Sequence, residues 1–261
     1  MKKLLKLTIF GSCLACLIGI LLFFNMGKTV ILSVKNHKVY YKDSCNNKEL
    51  LKETVDALSF VDSLTASKQF TTLCFLMNKY GSDKGNGWHN YTLFYYGLFR
   101  GKKFNNVFEV GLGTNNLDVP SNMGVDGKPG ASLRGWRDFF KTPNVFGADV
   151  DKRVLFKEDG IDTFYVDQLD TPSITSLNKI LKHIEFELIL DDGLHTFIAN
   201  KNFFDYFQDR LAKGGYYIIE DVKKEDLEKY IKYFVPLGAL VVDLYNEHNN
   251  SDNGLVVFKK V

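Results

Sequence analysis

From Val107 onward, short apolar runs alternate with longer stretches of helical spacing. Strand-type runs fall at Val107 to Gly111, Val145 to Asp149, Thr163 to Asp167, Phe186 to Asp191 and Tyr216 to Glu220. Helical segments fill the gaps, among them Ser132 to Phe140, Ser173 to His183 and Phe197 to Leu211. Regular alternation of this kind predicts an α/β fold with a doubly wound, mostly parallel sheet. The chain closes differently. Ala239 to Tyr245 and Leu255 to Lys259 flank a polar loop, which predicts a C-terminal antiparallel hairpin.

Upstream, Val30 to Tyr41 has β character and reads as a linker or peripheral hairpin. Lys48 to Tyr80 carries apolar residues (Leu51, Val55, Leu58, Leu73, Leu76) near helical spacing and predicts one or two amphipathic helices. Turn residues make Gly81 to Gly87 a loop, and an aromatic helix is expected over Trp88 to Phe99. Leu112 to Ala131 has no periodicity; an irregular segment of that length in a compact domain is usually functional, so it reads as an active-site cover. The division expected is 1–27 as a membrane anchor, 28–103 as linker and helical cap, and 104–261 as the cofactor-binding domain.

The anchor rests on eighteen uncharged residues, Leu7 to Phe24, that follow Lys2, Lys3 and Lys6. That length is near the lower limit for a spanning helix, and no small-residue cleavage site follows. This favours an uncleaved anchor over the alternatives, a cleaved signal peptide or a buried core helix. Lysines flank both sides, so the positive-inside rule leaves the orientation open. The chain lies in the secretory lumen if it is a eukaryotic type II protein, and otherwise on the cytosolic face. The remaining composition is ordinary for a folded domain of 261 residues, 45% hydrophobic and 25% charged. A net charge of +2 without a basic stripe argues against a nucleic-acid partner. Four cysteines are too scattered for a disulfide scaffold or zinc module. In an oxidising compartment Cys45 and Cys74 can pair. Asn90-Tyr91-Thr92 and Asn249-Asn250-Ser251 match the glycosylation pattern.

Candidate chemistry gathers at strand ends. Asp191-Asp192-Gly193-Leu194-His195 follows one apolar run and Glu220-Asp221 follows the next, with a helix-length segment between. A right-handed crossover puts both strand ends on one rim of the sheet, where open α/β sheets bind ligands. Carboxylates so close would raise one another's pKa values unless a cation or proton intervened, which is the pattern of an oxygen-rich divalent metal site. Gly111 and Gly113 allow a tight turn after the first strand. Asp149 ends the second strand, where a carboxylate can accept from both ribose hydroxyls. Asp167 and Gln168 end the third and can meet an adenine edge. For each acidic residue the alternative is a helix N-cap.

FEVGLGT (Phe108 to Thr114), GADVD, YVDQ and the closing hairpin resemble class I S-adenosylmethionine-dependent methyltransferases. GSDKG with His89 and Tyr91, PSNMG, GASLRGWRDFF, DDGLH and IIED narrow the resemblance to macrocin- and mycinamicin-type sugar O-methyltransferases. The resemblance implies a Mg²⁺-dependent methyl transfer from S-adenosylmethionine to a hydroxyl of a sugar or glycoconjugate. Carried over by motif, Asp192, Glu220 and Asp221 hold the metal and His195 is the general base. Glu109, Gly111, Gly113, Asp149, Asp167 and Gln168 contact the cofactor, and Lys84, His89, Tyr91, Arg134 and Trp136 are candidate substrate or lid residues. Two alternatives stay open. One is a metal-dependent hydroxylase of the cephalosporin-hydroxylase type, although its usual iron triad needs two histidines. The other is a non-catalytic, membrane-tethered binding protein of the same fold.

Overall fold

The computed structural model describes residues 29–43, 48–85, 87–142 and 144–261. The expected membrane anchor, Cys13, Cys16 and Cys45 lie outside them. No helix among the described residues is long and apolar enough to cross a membrane.

Ten strands form one mixed sheet, in the order β1-β2-β9-β10-β8-β7-β3-β4-β6-β5. Its parallel part is β3 (Asn106–Val110), β4 (Asn144–Asp149), β6 (Ile161–Tyr165), β7 (Phe186–Asp191) and the first half of β8 (Leu211–Val222). From β3 the chain winds outward through β4 and β6 on one side, and through β7 and β8 on the other. The order therefore reverses beside β3, which is where an open α/β sheet leaves a crevice. β10 (Gly254–Lys259) inserts antiparallel between β8 and β9 (Leu240–Asp243). The C-terminal hairpin is thus present, and it lies inside the sheet. β1 (Thr29–Val34) and β2 (His37–Lys42) form a second hairpin that pairs with β9 and extends the sheet. The Val30 to Tyr41 stretch is part of that sheet and not a linker. At the opposite end, the two-residue β5 (Lys157–Glu158) pairs antiparallel with β6.

Strand alternation builds a core on each face. In β8, Tyr216 and Ile218 point into one cluster while Tyr217 and Ile219 point into the other. The first face is covered by α1 (Lys48–Ser67), α2 (Thr72–Tyr80), α3 (Tyr91–Phe99) and α4 (Ala131–Phe140). The second is covered by α5 (Thr171–Ile180), α6 (Phe197–Phe207) and α7 (Leu227–Phe234). The buried stripe of α1 is Leu50, Thr54, Ala57, Leu58 and Val61. That places the stripe slightly off the Leu51–Val55 line expected from sequence. The stripe includes a close crossing with α3, where a Cβ on Gly97 would come within 2.9 Å of the Ala57 backbone.

This packing buries the asparagines of both triplets that match the glycosylation pattern. Asn90 donates to the Tyr245 carbonyl and accepts from Asn253, and Asn249 is 2% exposed. Cys74 is a free, buried thiol held between Thr71 and Thr92.

Candidate active site

The ends of β3, β4, β6, β7 and β8 surround a cavity of about 420 Å³, a size that suits a small-molecule ligand. Its wall includes Gly111, Gly113, Asp149, Asp167, Gln168, Asp192, His195 and Asp221. The irregular Leu112 to Ala131 segment contributes Val119, Pro120, Ser121, Asn122 and Met123 to the same wall. The hydroxyl of Ser121 reaches the Leu194 carbonyl (3.2 Å), which ties this cover to the loop after β7.

Gly111 is required by geometry. It has a φ of 94°, and a Cβ there would lie 1.9 Å from the Asp192 carbonyl oxygen. At the turn after β3 the backbone of Asp192 therefore packs directly against Gly111. Asp149 braces the same turn, accepting from Leu112 N and Asp151 N (2.8 Å each). Burial pushes its pKa up, against the pull of these amides. Gln168 accepts from Leu194 N (2.9 Å) and donates to Asp191 (2.8 Å). Its side-chain amide thus fixes the loop after β7.

Asp191 and Asp192, consecutive in sequence, part company. Asp191 is fully buried beside Gln168, Asn200 and Tyr217, and burial pushes its pKa up to about 6. It does not face the cavity, so it leaves the set of carboxylates expected in one crevice. Neither residue caps α6; Thr196 does, accepting from Ala199 N. Asp192 turns toward the cavity. Burial alone would raise its pKa, but Lys84 and His195 override this and hold it well below the usual carboxylate range.

His195 has a φ of 55°, a strained setting for a non-glycine residue. Its Nε2 lies 3.1 Å from Asp192 Oδ1 and its Nδ1 lies 3.4 Å from Asp221 Oδ2. Burial opposes the charged ring, but the carboxylates of Asp221 and Asp192 outweigh it and raise the pKa to about 10. One ligand atom each from Asp192, His195 and Asp221 lies within 4.8 Å of the others.

Glu220 sits behind this trio. One carboxylate oxygen accepts from Lys84, and the other accepts from Tyr95 (2.6 Å). Lys84 also bonds Asp192 and lies 3.5 Å from Glu109. Burial disfavours the ammonium, yet Asp192, Glu220 and Glu109 together raise its pKa well above the ordinary value. Lys84, a candidate substrate or lid residue from sequence, is 2% exposed, is held among these carboxylates and does not line the cavity. Glu109, expected at the cofactor, is fully buried and accepts from Ser132 and Trp136 (2.6 Å each).

Trp136 and Arg134 also stand off the cavity wall. Trp136 is fully buried against Glu109. Arg134 pairs with Glu158 (3.0 Å) and stacks on Phe156, away from the cavity wall. His89 and Tyr91 are buried beside Asp221 and do not line the cavity.

Glu109, Asp192, Glu220 and Asp221 face Lys84 and the His195 imidazolium, with His89 also beside Asp221; counting the two groups held positive, four carboxylates exceed them by two. Burial first, and then neighbouring carboxylates, push Glu220 and Asp221 upward. Two protons or one divalent cation would remove the excess. Hard carboxylate oxygens with an open side toward a cavity fit Mg²⁺.

An open sheet of this order, with helices on both faces, has the methyltransferase fold. The MycE methyltransferase of the mycinamycin biosynthetic pathway, solved with Mg, SAH and mycinamycin VI, superposes with a TM-score of 0.53 at 19% identity, over 85% of this chain and 66% of that one. Among curated proteins, the chain is 30% identical over 151 residues to the 8-demethyl-8-alpha-L-rhamnosyl tetracenomycin-C 2'-O-methyltransferase of Streptomyces olivaceus. It is 27% identical over 147 residues to the demethylmacrocin O-methyltransferase of Streptomyces fradiae. These matches cover 58% and 56% of this chain but only 38% and 35% of those proteins. The chain therefore spans well under half the length of the curated relatives it matches. No family model matches it. The resemblance to macrocin- and mycinamicin-type sugar O-methyltransferases holds.

Proposed function

We propose that the chain is a Mg²⁺-dependent O-methyltransferase that moves a methyl group from S-adenosylmethionine to a hydroxyl of a sugar or glycoconjugate. The observation that carries this reading is that Asp192, His195 and Asp221 converge on the wall of the cavity that Gly111, Asp149 and Asp167 also line. The relatives support it: both are named O-methyltransferases, one of them of a rhamnosyl tetracenomycin.

In this reading Asp192 and Asp221 hold the metal, with Glu220 completing the acidic set behind them. Asp149 and Asp167 orient the cofactor from the ends of β4 and β6. When bound, Mg²⁺ supplies Lewis acidity that lowers the pKa of the acceptor hydroxyl, and S-adenosylmethionine supplies an already activated methyl group. His195 takes the hydroxyl proton. A cation held by Asp192 and Asp221 would weaken their pull on the imidazole proton and free the ring to act as a base. Nδ1 has the longer carboxylate contact of the two ring nitrogens and is the atom assigned to this exchange. The cover over Val119 to Met123 excludes water. Because the methyl group is activated, the protein's main contribution is alignment.

Calorimetry with S-adenosylmethionine, followed by label transfer to glycoside acceptors with and without Mg²⁺, tests the reading. Absence of cofactor binding would sink it. Attachment to a membrane through Leu7 to Phe24 is a separate proposal that rests on the sequence. Recovery of the full chain in the carbonate-washed membrane pellet supports it, and release into the supernatant contradicts it.

A further inference from the structure

Glu220 and Asp221 are consecutive in β8, and a regular strand would send their side chains to opposite faces. They stand instead in a bulge. Between the pairs Ile219–Val256 and Val222–Gly254, two residues of β8 oppose the single Leu255 of β10. A bulge leaves one residue outside the ladder and re-aims its side chain. Asp221 has a φ of 54°, the left-handed conformation that L-residues avoid.

Tyr91 holds it there. The tyrosine hydroxyl accepts the Asp221 N–H (3.2 Å) that the bulge leaves without a ladder partner. Its own hydrogen is directed between Asp221 Oδ1 (2.9 Å) and the Asp252 carbonyl (3.1 Å). The ring is 1% exposed and stacks on His89, with centroids 4.5 Å apart. His89 Nε2 lies 3.6 Å from the same Oδ1, and its Nδ1 meets Asn253 at 3.1 Å. One oxygen of Asp221 is thus gripped from behind, and Oδ2 is left facing His195.

We propose that Tyr91 is a positioning residue for the metal site. By holding both the amide and Oδ1 of Asp221, it presents Oδ2 to the cation. The proposal rests on the reading of Asp192 and Asp221 as ligands of a divalent ion. It extends that reading to a residue 130 positions away in the chain.

The test is a calorimetric titration of Mn²⁺, standing in for Mg²⁺, into the metal-free chain and its Tyr91→Phe variant. Phenylalanine keeps the buried ring and its stacking, and removes only the hydroxyl. Mn²⁺ affinity is expected to fall about 10- to 100-fold, as it does when a group that orients a metal ligand is lost. The metal-free circular dichroism spectrum is expected to match wild type. If it does not, His89→Gln, which removes the second contact to Oδ1, is read in the same titration, with a several-fold loss expected. Equal Mn²⁺ affinity in wild type and variant would overturn this proposal and leave the metal reading intact. Failure of the wild-type chain to bind Mn²⁺ would overturn both.

Discussion

Lys84 donates its buried ammonium to Glu220, 136 residues away in the chain, from the loop between α2 and α3. The same ammonium reaches Asp192, so one side chain joins the ends of β7 and β8. Removing it would strand buried carboxylates. Lys84→Met is therefore expected to lower stability by about 3–5 kcal/mol, the usual effect of breaking a buried ion pair from one side. Urea unfolding at pH 7 measures this, and a loss below about 1 kcal/mol would contradict the assignment.

His37 makes stability depend on pH at the far edge of the sheet. Its Nδ1 accepts Tyr245 N–H (2.9 Å), its Nε2 faces Asp62 (3.4 Å), and the ring is 2% exposed. Burial lowers its pKa from the ordinary 6.5, opposed by Asp62 and Asp243 and aided by Lys35. The unfolded chain therefore binds the proton more readily than the folded one. Stability from this group is present above about pH 6.5 and is lost as pH falls below it, by at most about 1.4 kcal/mol per pH unit. His37→Asn keeps an acceptor for Tyr245 and is expected to flatten the slope of urea stability between pH 7.5 and 5.5. An unchanged slope would contradict this.

Gly111→Ala should be poorly tolerated. The left-handed backbone alone costs an L-residue about 1–2 kcal/mol, and the new methyl would overlap the Asp192 carbonyl. A fall of more than about 2 kcal/mol in urea stability is expected, together with weakened Mn²⁺ binding as Asp192 is displaced. Wild-type values for both would show that the turn after β3 yields more easily than its contacts imply.

Asn90 and Asn249 should carry no glycan even when the chain is made in a glycosylating host, because their amides are buried and bonded in the folded chain. Intact mass before and after glycosidase treatment reads this directly. A glycan at either position would mean that the β9–β10 loop is packed differently.

Local pattern carried most of the fold. The five parallel strands and the final hairpin were legible because each is a short apolar run ending in turn residues. The attachment of β2 to β9 was not, since pairing between strands some 200 residues apart leaves no mark in the periodicity of either. At the site, Asp192, His195 and Asp221 were legible from DDGLH and the Glu220-Asp221 pair. The separation of Asp191 from Asp192 followed from strand alternation and was available in principle. Lys84 was harder, because a lysine in a glycine-rich loop looks solvated until three carboxylates are folded around it. The surroundings of Trp136 and Arg134 are hidden from the sequence for the same reason. Helical spacing shows which residues share a face, but not whether that face meets a ligand or a buried Glu109.

In the proposed function, a site built on Asp192, His195 and Asp221 transfers methyl to a sugar hydroxyl. The direct measurement supplies the chain with methyl-labelled S-adenosylmethionine, Mg²⁺ and a panel of glycosides, and reads label in the product, with EDTA and with His195→Ala as controls. The expected result is a labelled methyl ether that disappears with EDTA and falls by at least about 100-fold in the variant, which still binds S-adenosylmethionine. Transfer that persists undiminished in EDTA or in His195→Ala would contradict the account.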